Sequence, residues 1–74
     1  MTFSERLKQL RKESNHTQLD VAKAANISDR AYRNLESGVS LPNLNTLILI
    51  AKFFDVSLDY IVGISDDPVS KYSS

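Results

Sequence analysis

The 74-residue chain has the length of one small domain, and its 42% apolar and 24% charged residues are typical of folded proteins. Because it contains no cysteine, disulfides, thiol catalysis and thiolate metal sites are excluded. Nine basic and nine acidic residues give a formal net charge of zero, but residues 1–40 hold seven basic against five acidic residues, which weakly supports a nucleic-acid partner.

The first two helices are predicted over residues 3–13 and 18–25. Apolar residues recur at helical spacing in the first, with charged and polar residues between them. Thr17 is a suitable N-cap for the second helix, and Asp20 stands at the capping-box position. Asn26 follows the second helix and can adopt the left-handed conformation that often ends helices. These residues predict two short helices joined by a brief connection.

Capping and turn residues also delimit the rest of the chain. Three further helices are predicted over residues 29–37, 44–54 and 58–62. Their expected N-caps are Ser28, Asn43 and Ser57, and Gly38 and Gly63 close the third and fifth helices. Residues 3–63 are therefore expected to form one all-α domain of five helices. Residues 64–74 are expected to form a flexible C-terminal tail.

The pattern of apolar residues predicts which helix faces point inward. Val21, Ala22 and Ala25 form the inner face of the second helix, and Ala31, Tyr32 and Leu35 that of the third. The inner face of the fourth helix is expected to comprise Leu44, Leu47, Ile48, Ile50, Ala51 and Phe54. His16, the only histidine, is expected in a surface loop.

Nothing in the sequence predicts secretion or membrane insertion. The N-terminal segment is polar and lacks the continuous apolar core of a signal peptide. The longest apolar run, residues 47–51, is far shorter than the roughly 20 residues that a membrane span needs. A cytoplasmic protein without a membrane partner is expected.

The second and third helices have the features of a helix-turn-helix. Small inward residues such as Ala22 and Ala25 allow two helices to cross closely, and Ile27 is suited to fix the turn to the core. The third helix carries polar residues on its outer face. Such a face fits the major groove of DNA, which is about 12 Å wide.

The order of these residues resembles the Cro/CI-type (XRE) family of transcriptional regulators, which have a five-helix, lambda-repressor-like DNA-binding domain. The resemblance covers roughly residues 3–68 and rests on the combined spacing of several short motifs. These are Thr17-Gln18 with Val21-Ala22, Ile27-Ser28, Leu35-Glu36-Ser37-Gly38, Leu41-Pro42, Leu47 and Val56-Ser57-Leu58-Asp59-Tyr60.

The resemblance implies a set of DNA-contacting residues on this chain. Residues expected at base edges are Ser28, Asp29, Arg30, Arg33 and Asn34. Residues expected at phosphates are Thr17, Gln18, Ser37, Ser40 and Asn43. Arg30 is the first candidate for a bidentate contact with guanine, and Asn34 could read adenine similarly. The resemblance also implies a structural, half-buried ion pair between Arg11 and Glu36.

Asp29 is an unfavourable residue at a DNA-facing position, because phosphates repel its carboxylate. It could accept a hydrogen bond from a cytosine amino group, or it could pair with Arg33 one turn later and orient that side chain. The second interpretation is preferred. Tyr32 is interpreted as a core residue with its hydroxyl at the edge, in preference to a phosphate ligand.

Leu49, Phe53 and Tyr60 form a candidate dimer surface, because the inner face of the fourth helix is already filled without Leu49 and Phe53. Burial within the monomer is the alternative. The sequence as a whole predicts a non-enzymatic repressor that binds double-stranded DNA as a homodimer on a pseudo-palindromic operator. No metal, cofactor or small-molecule ligand is expected. An antitoxin-type regulator and a protein-interaction module that has lost DNA binding remain open alternatives.

Overall fold

The computed structural model describes residues 1–68. Within this range the chain forms five helices and no strand, so the predicted all-α class is confirmed. The helices are α1 (Phe3–Glu13), α2 (Gln18–Ala24), α3 (Asp29–Ser37), α4 (Leu44–Phe54) and α5 (Leu58–Ile61). None of these helices is long and apolar enough to cross a membrane.

Every helix begins at a side chain that accepts a hydrogen bond from the first turn. Thr17, Ser28, Asn43 and Ser57 are the N-caps of α2 to α5, as predicted. Thr2 caps α1 in a capping box with Glu5, which was not predicted. Each such cap typically contributes about 1 kcal/mol to stability. The caps therefore fix where the helices start.

Left-handed residues end several of the helices. Asn15 and Asn26 have φ angles of 60° and 58°, and Gly38 has a φ of 82°. Asp55 caps α4 in the same conformation, which was not predicted. The predicted ends of α2 and α5 were one residue too late, because Ala25 and Val62 are C-caps. Gly63 is left-handed as well, and a side chain there would meet the Met1 backbone.

The five largest fully buried side chains of the core come one from each helix. These five side chains are Leu7, Val21, Tyr32, Ile50 and Ile61. Ala22, Ala25 and Leu35 are also buried, which confirms the predicted inner faces of α2 and α3. The prediction for Leu44 was wrong, since this side chain is 68% exposed at the first position of α4, beyond the core.

His16 lies in the loop between α1 and α2, as expected, and is half-buried there. Its ring centroid lies 4.8 Å from that of Phe53 and 6.5 Å from that of Phe54. Phe53 remains 37% exposed. The α1–α2 connection therefore packs against the end of α4.

The first residues of the predicted tail contact the domain. The Ser57 amide donates to the Pro68 carbonyl at 2.9 Å. The buried Arg6 lies 3.8 Å above the ring of Tyr60 and reaches Asp66 at 3.3 Å. Residues 69–74 lie outside the described residues, so the flexibility of the tail stays a prediction.

Candidate nucleic-acid interface

The turn between α2 and α3 is held by backbone hydrogen bonds and one apolar side chain. The Ile27 amide donates to the Ala22 carbonyl at 3.0 Å, across the left-handed Asn26. The Ile27 side chain is half-buried and packs against the core, as predicted. Both helices also bury small or apolar residues in the shared core, so α3 is packed against α2 with one face outward.

The outer face of α3 carries two exposed arginines, Arg30 and Arg33. Arg33 donates to Asp29 at 2.8 Å, one helical turn earlier, so the preferred ion pair is present. This contact neutralises the carboxylate that would otherwise repel phosphate. Arg30 makes no ion pair within residues 1–68, so its guanidinium is available for a ligand.

The N-cap hydroxyls of α2 and α3 differ in what they leave free. Thr17 Oγ1 accepts from the Asp20 amide, while the Thr17 amide and hydroxyl both donate to the Asp20 carboxylate and lower its pKa. Ser28 Oγ accepts from the Ala31 amide, so its hydroxyl hydrogen remains able to donate to a phosphate or a base edge. At the start of α4, Asn43 Oδ1 caps the Thr46 amide at 2.8 Å, which leaves the Asn43 amide group as a donor.

The α3–α4 loop is anchored to the end of α3. The amides of Val39 and Ser40 both donate to the Asn34 carbonyl, at 3.0 and 3.2 Å, and the Ser37 hydroxyl donates to the same oxygen. Asn34 itself is half-buried, and Ser37 and Ser40 are exposed. The backbone of a predicted base-reading residue thus positions two predicted phosphate contacts.

Glu36 is the centre of a buried polar network. Arg11 donates to its carboxylate through Nε at 2.5 Å and Nη2 at 3.1 Å, which confirms the predicted ion pair. The Tyr32 hydroxyl donates at 2.5 Å, and Gln18 Nε2 donates at 3.3 Å. Gln18 is thereby braced against α3, with its second amide hydrogen left for a phosphate.

Electrostatics in this network favour the charged pair. Burial alone would raise the pKa of Glu36, but the hydrogen bonds from Arg11, Tyr32 and Gln18 outweigh it and hold that pKa below the usual 4.5. The hydrogen bond to Glu36 raises the pKa of Arg11. Burial, helped by the hydrogen bond to Glu36, raises the pKa of Tyr32 above its ordinary range. Glu36 is therefore an anion and Tyr32 a neutral donor at neutral pH.

The lowered pKa of Glu36 predicts acid sensitivity. A carboxylate whose pKa is lower in the folded than in the unfolded state stabilises the fold above its unfolded pKa of about 4.5, and this contribution is lost as pH falls through the folded pKa. We expect Glu36→Gln to flatten the fall in unfolding free energy below about pH 5, as measured by urea denaturation at several pH values. An acid dependence identical to that of the unmodified chain would contradict this role of Glu36.

Sequence reasoning found most of this arrangement and missed part of it. The Tyr32 hydroxyl is buried against Glu36 and does not lie at an edge, because the four-residue spacing places the two side chains on one face of α3. That spacing was a usable signal. The candidate dimer residues Leu49 and Tyr60 are half-buried, and only Phe53 is exposed.

Two helices joined by a tight turn, with a polar and cationic face directed outward, define a helix-turn-helix domain. Residues 7–61 match the family model described as Helix-turn-helix, and the chain therefore belongs to the helix-turn-helix family of Cro/CI (XRE) type. This family is a class of transcriptional regulators, not of enzymes.

The chain is similar to several known regulators. It is 38% identical over 69 residues to the uncharacterized HTH-type transcriptional regulator YobD of Bacillus subtilis, covering 93% of this chain and 62% of that protein. It is 38% identical over 63 residues to the cryptic phage CTXphi transcriptional repressor RstR of Vibrio cholerae, covering 85% and 56%. The chain thus spans about three fifths of the length of these curated relatives.

One solved structure relates the fold to DNA. The P22 c2 repressor, in complex with a synthetic operator, superposes with a TM-score of 0.82 at 25% identity, covering 88% of this chain and 98% of that one. The lambda-repressor-like fold expected from the sequence is therefore confirmed.

Proposed function

We propose that the protein is a sequence-specific, double-stranded DNA-binding regulator that acts in the cytoplasm as a transcriptional repressor. The observation that carries the proposal is the outer face of α3, where Arg30 is exposed and has no ion pair among residues 1–68, and Arg33 is held by Asp29. Arginine in the major groove is the commonest specific contact with guanine. The repressor names of RstR and the P22 protein support the direction of regulation.

In this proposal Ser28, Asp29, Arg30, Arg33 and Asn34 face base edges, with Asp29 acting through Arg33. Thr17, Gln18, Ser37, Ser40 and Asn43 contact phosphates and set the register of the helix on the duplex. Selection of bound duplexes from random DNA tests the proposal. Enrichment of one motif supports it, and recovery of unrelated sequences in every round contradicts it.

We further propose that two copies bind a pseudo-palindromic operator as a homodimer. Half-sites one helical turn apart place two copies about 34–36 Å from centre to centre. The domain measures 33 × 24 × 22 Å between Cα atoms, so two copies at that spacing can touch when their long dimension follows the duplex axis. Contact between neighbouring copies can then make binding cooperative.

Two apolar surfaces are candidates for this contact. One is the set proposed from the sequence, Leu49, Phe53 and Tyr60. The other, the loop surface, comprises Leu41 and Leu44, which are 82% and 68% exposed, beside an open groove of about 400 Å³ lined by Phe3, Pro42, Leu47 and Val62. The loop surface adjoins the proposed phosphate contacts Ser40 and Asn43, so a second copy on the same DNA can reach it. We propose the loop surface.

Replacing the apolar side chains by charged ones tests this choice. Leu41→Lys with Leu44→Lys is expected to weaken binding to a two-half-site operator by at least about tenfold, because burial of one leucine contributes about 1.5–3 kcal/mol. Affinity for an isolated half-site should change little. The matched control is Leu49→Lys with Phe53→Lys. The proposal of the loop surface is wrong if only the control variant loses cooperative binding in the gel-shift titration, or if neither double variant loses it.

A further inference from the structure

A polar groove runs between α1 and the end of α3, with a volume of about 490 Å³. Its lining residues are Ser4, Glu5, Lys8, Gln9, Lys12, Glu36 and Ser37. Ser4, Lys8 and Lys12 are spaced four residues apart, so they form one row along α1 with about 6 Å between successive members. Of the residues that line this α1–α3 groove, Ser37 is a proposed phosphate contact and Glu36 is the centre of the buried network, whereas Lys8 and Lys12 have no role in the interface proposed above.

Both carboxylates that line the groove are already engaged. Glu36 is neutralised by Arg11 and receives further hydrogen bonds from Tyr32 and Gln18. Glu5 Oε1 accepts from the amide and the hydroxyl of Thr2 at 2.9 Å each, as part of the α1 capping box. Neither acid is therefore directed at a lysine of the groove.

The two lysines, in contrast, are exposed, and neither forms an ion pair in the part of the chain that the structure describes. Arg6 and Arg11, the other cations of α1, are both committed to carboxylates. The α1–α3 groove thus presents two uncompensated positive charges to solvent, one helical turn apart. Such a pair suits a ligand with repeated negative charges.

The groove begins where the DNA-facing row of α3 ends. Asp29, Arg33 and Ser37 are spaced four residues apart on the outer face of α3, and Ser37 also forms part of the groove wall. A duplex lying along that face therefore passes Ser37 and comes next to Lys8 and Lys12. The DNA backbone carries one phosphate charge per 3.4 Å of each strand, so phosphates are available at this position.

We propose that Lys8 and Lys12 bind phosphates of the operator backbone beyond the base pairs contacted by α3. This inference rests on the proposed DNA-binding function and adds α1 as a second binding element. The contact carries no sequence information, so it strengthens binding to every duplex by the same factor. It also accounts for DNA affinity in a chain whose net charge is zero, because the positive charge is concentrated where the backbone passes.

The dependence of affinity on salt tests the proposal. The double variant Lys8→Gln with Lys12→Gln should lower the slope of log affinity against log salt by about 0.9 for each lost phosphate contact, so by nearly two in total. The ratio of affinities for the selected operator and its single-base variants should stay unchanged. The melting temperature should also stay unchanged, because both side chains are exposed.

The matched control is Lys23→Gln with Lys52→Gln, which removes the same charge from exposed positions of α2 and α4. Its salt slope should remain that of the unmodified protein. An unchanged slope in the Lys8/Lys12 variant, or an equal fall in the control, would overturn the proposal. If the unmodified protein itself binds no duplex in a salt-dependent way, the proposed function fails, and that outcome is seen before any variant is compared.

Discussion

Replacing Arg11 with alanine is expected to lower the free energy of unfolding by about 3–5 kcal/mol, because it leaves the Glu36 carboxylate buried without its cation. Glu36 is 5% exposed and receives hydrogen bonds from Arg11 of α1 and Gln18 of α2, so its carboxylate is largely shielded from water. A domain of this size has a total stability of about 5–15 kcal/mol. Urea or thermal denaturation followed by circular dichroism measures the loss, which should leave a marginally folded protein.

Lys12→Ala is the neighbouring control, since Lys12 is exposed and forms no ion pair within residues 1–68, and it should change stability by less than about 0.5 kcal/mol. Replacing both partners, as Arg11→Met with Glu36→Leu, should recover much of the loss because no unpaired charge remains. If Arg11→Ala proved as mild as Lys12→Ala, the network would not hold the three helices together as described.

Arg30→Ala is expected to remove about 1–3 kcal/mol of discrimination at one base pair, roughly a factor of 5 to 150 in relative affinity. The reason is that Arg30 is the exposed cation of the α3 face that no carboxylate engages within the described residues. The measurement is the affinity for the selected operator and for every single-base variant of one half-site. Specificity should relax at one position and persist at the others.

Gln18→Ala is the matched comparison for this experiment. Its side chain is braced by Glu36 at the start of α2, where it is proposed to contact phosphate, so its loss should weaken binding to all duplexes alike. A uniform loss for Arg30→Ala would refute its assignment to a base edge. A position-specific loss for Gln18→Ala would likewise contradict its assignment to the backbone.

Local chemistry made the helical skeleton predictable. N-caps such as Thr17 and Ser28 and terminators such as Asn26 and Gly38 act over a few residues, so their positions in the sequence carry the information directly. Only the last residues of α2 and α5 were misplaced. The exact end of a helix depends on which carbonyl accepts the hydrogen bond of the last amide, and the residue types do not determine that partner.

Contacts between distant segments were harder to predict. The packing of His16 on Phe53 joins residues 37 positions apart, and the residues around neither of them predict this contact. Leu44 matched the apolar period of α4 but lies at the end of the helix, where the core no longer reaches it. The binding of Arg6 to Tyr60 and Asp66 is similar, because a buried arginine looks like an exposed one in the sequence.

For the candidate site, some contacts were predicted from the sequence and others were seen only in the structure. The resemblance to Cro/CI-type proteins predicted the Arg11–Glu36 pair, and the four-residue spacing predicted the Asp29–Arg33 pair. The geometry added the Tyr32 contact to Glu36, and it identified Glu36 as the residue through which Gln18 braces α3. It further showed that Arg30 forms no ion pair within residues 1–68. It also showed that Lys8 and Lys12 share a groove with Ser37, which no spacing within α1 could reveal.

The central claim is that the outer face of α3 recognises a particular DNA sequence. The most direct test is the ratio of affinities for the selected operator and for a scrambled duplex of the same length, measured by titration at physiological salt. Specific DNA-binding proteins prefer their sites by about 10³-fold or more, and we expect a ratio of at least that size. Equal affinity for the two duplexes, or no detectable binding to either, would contradict the account.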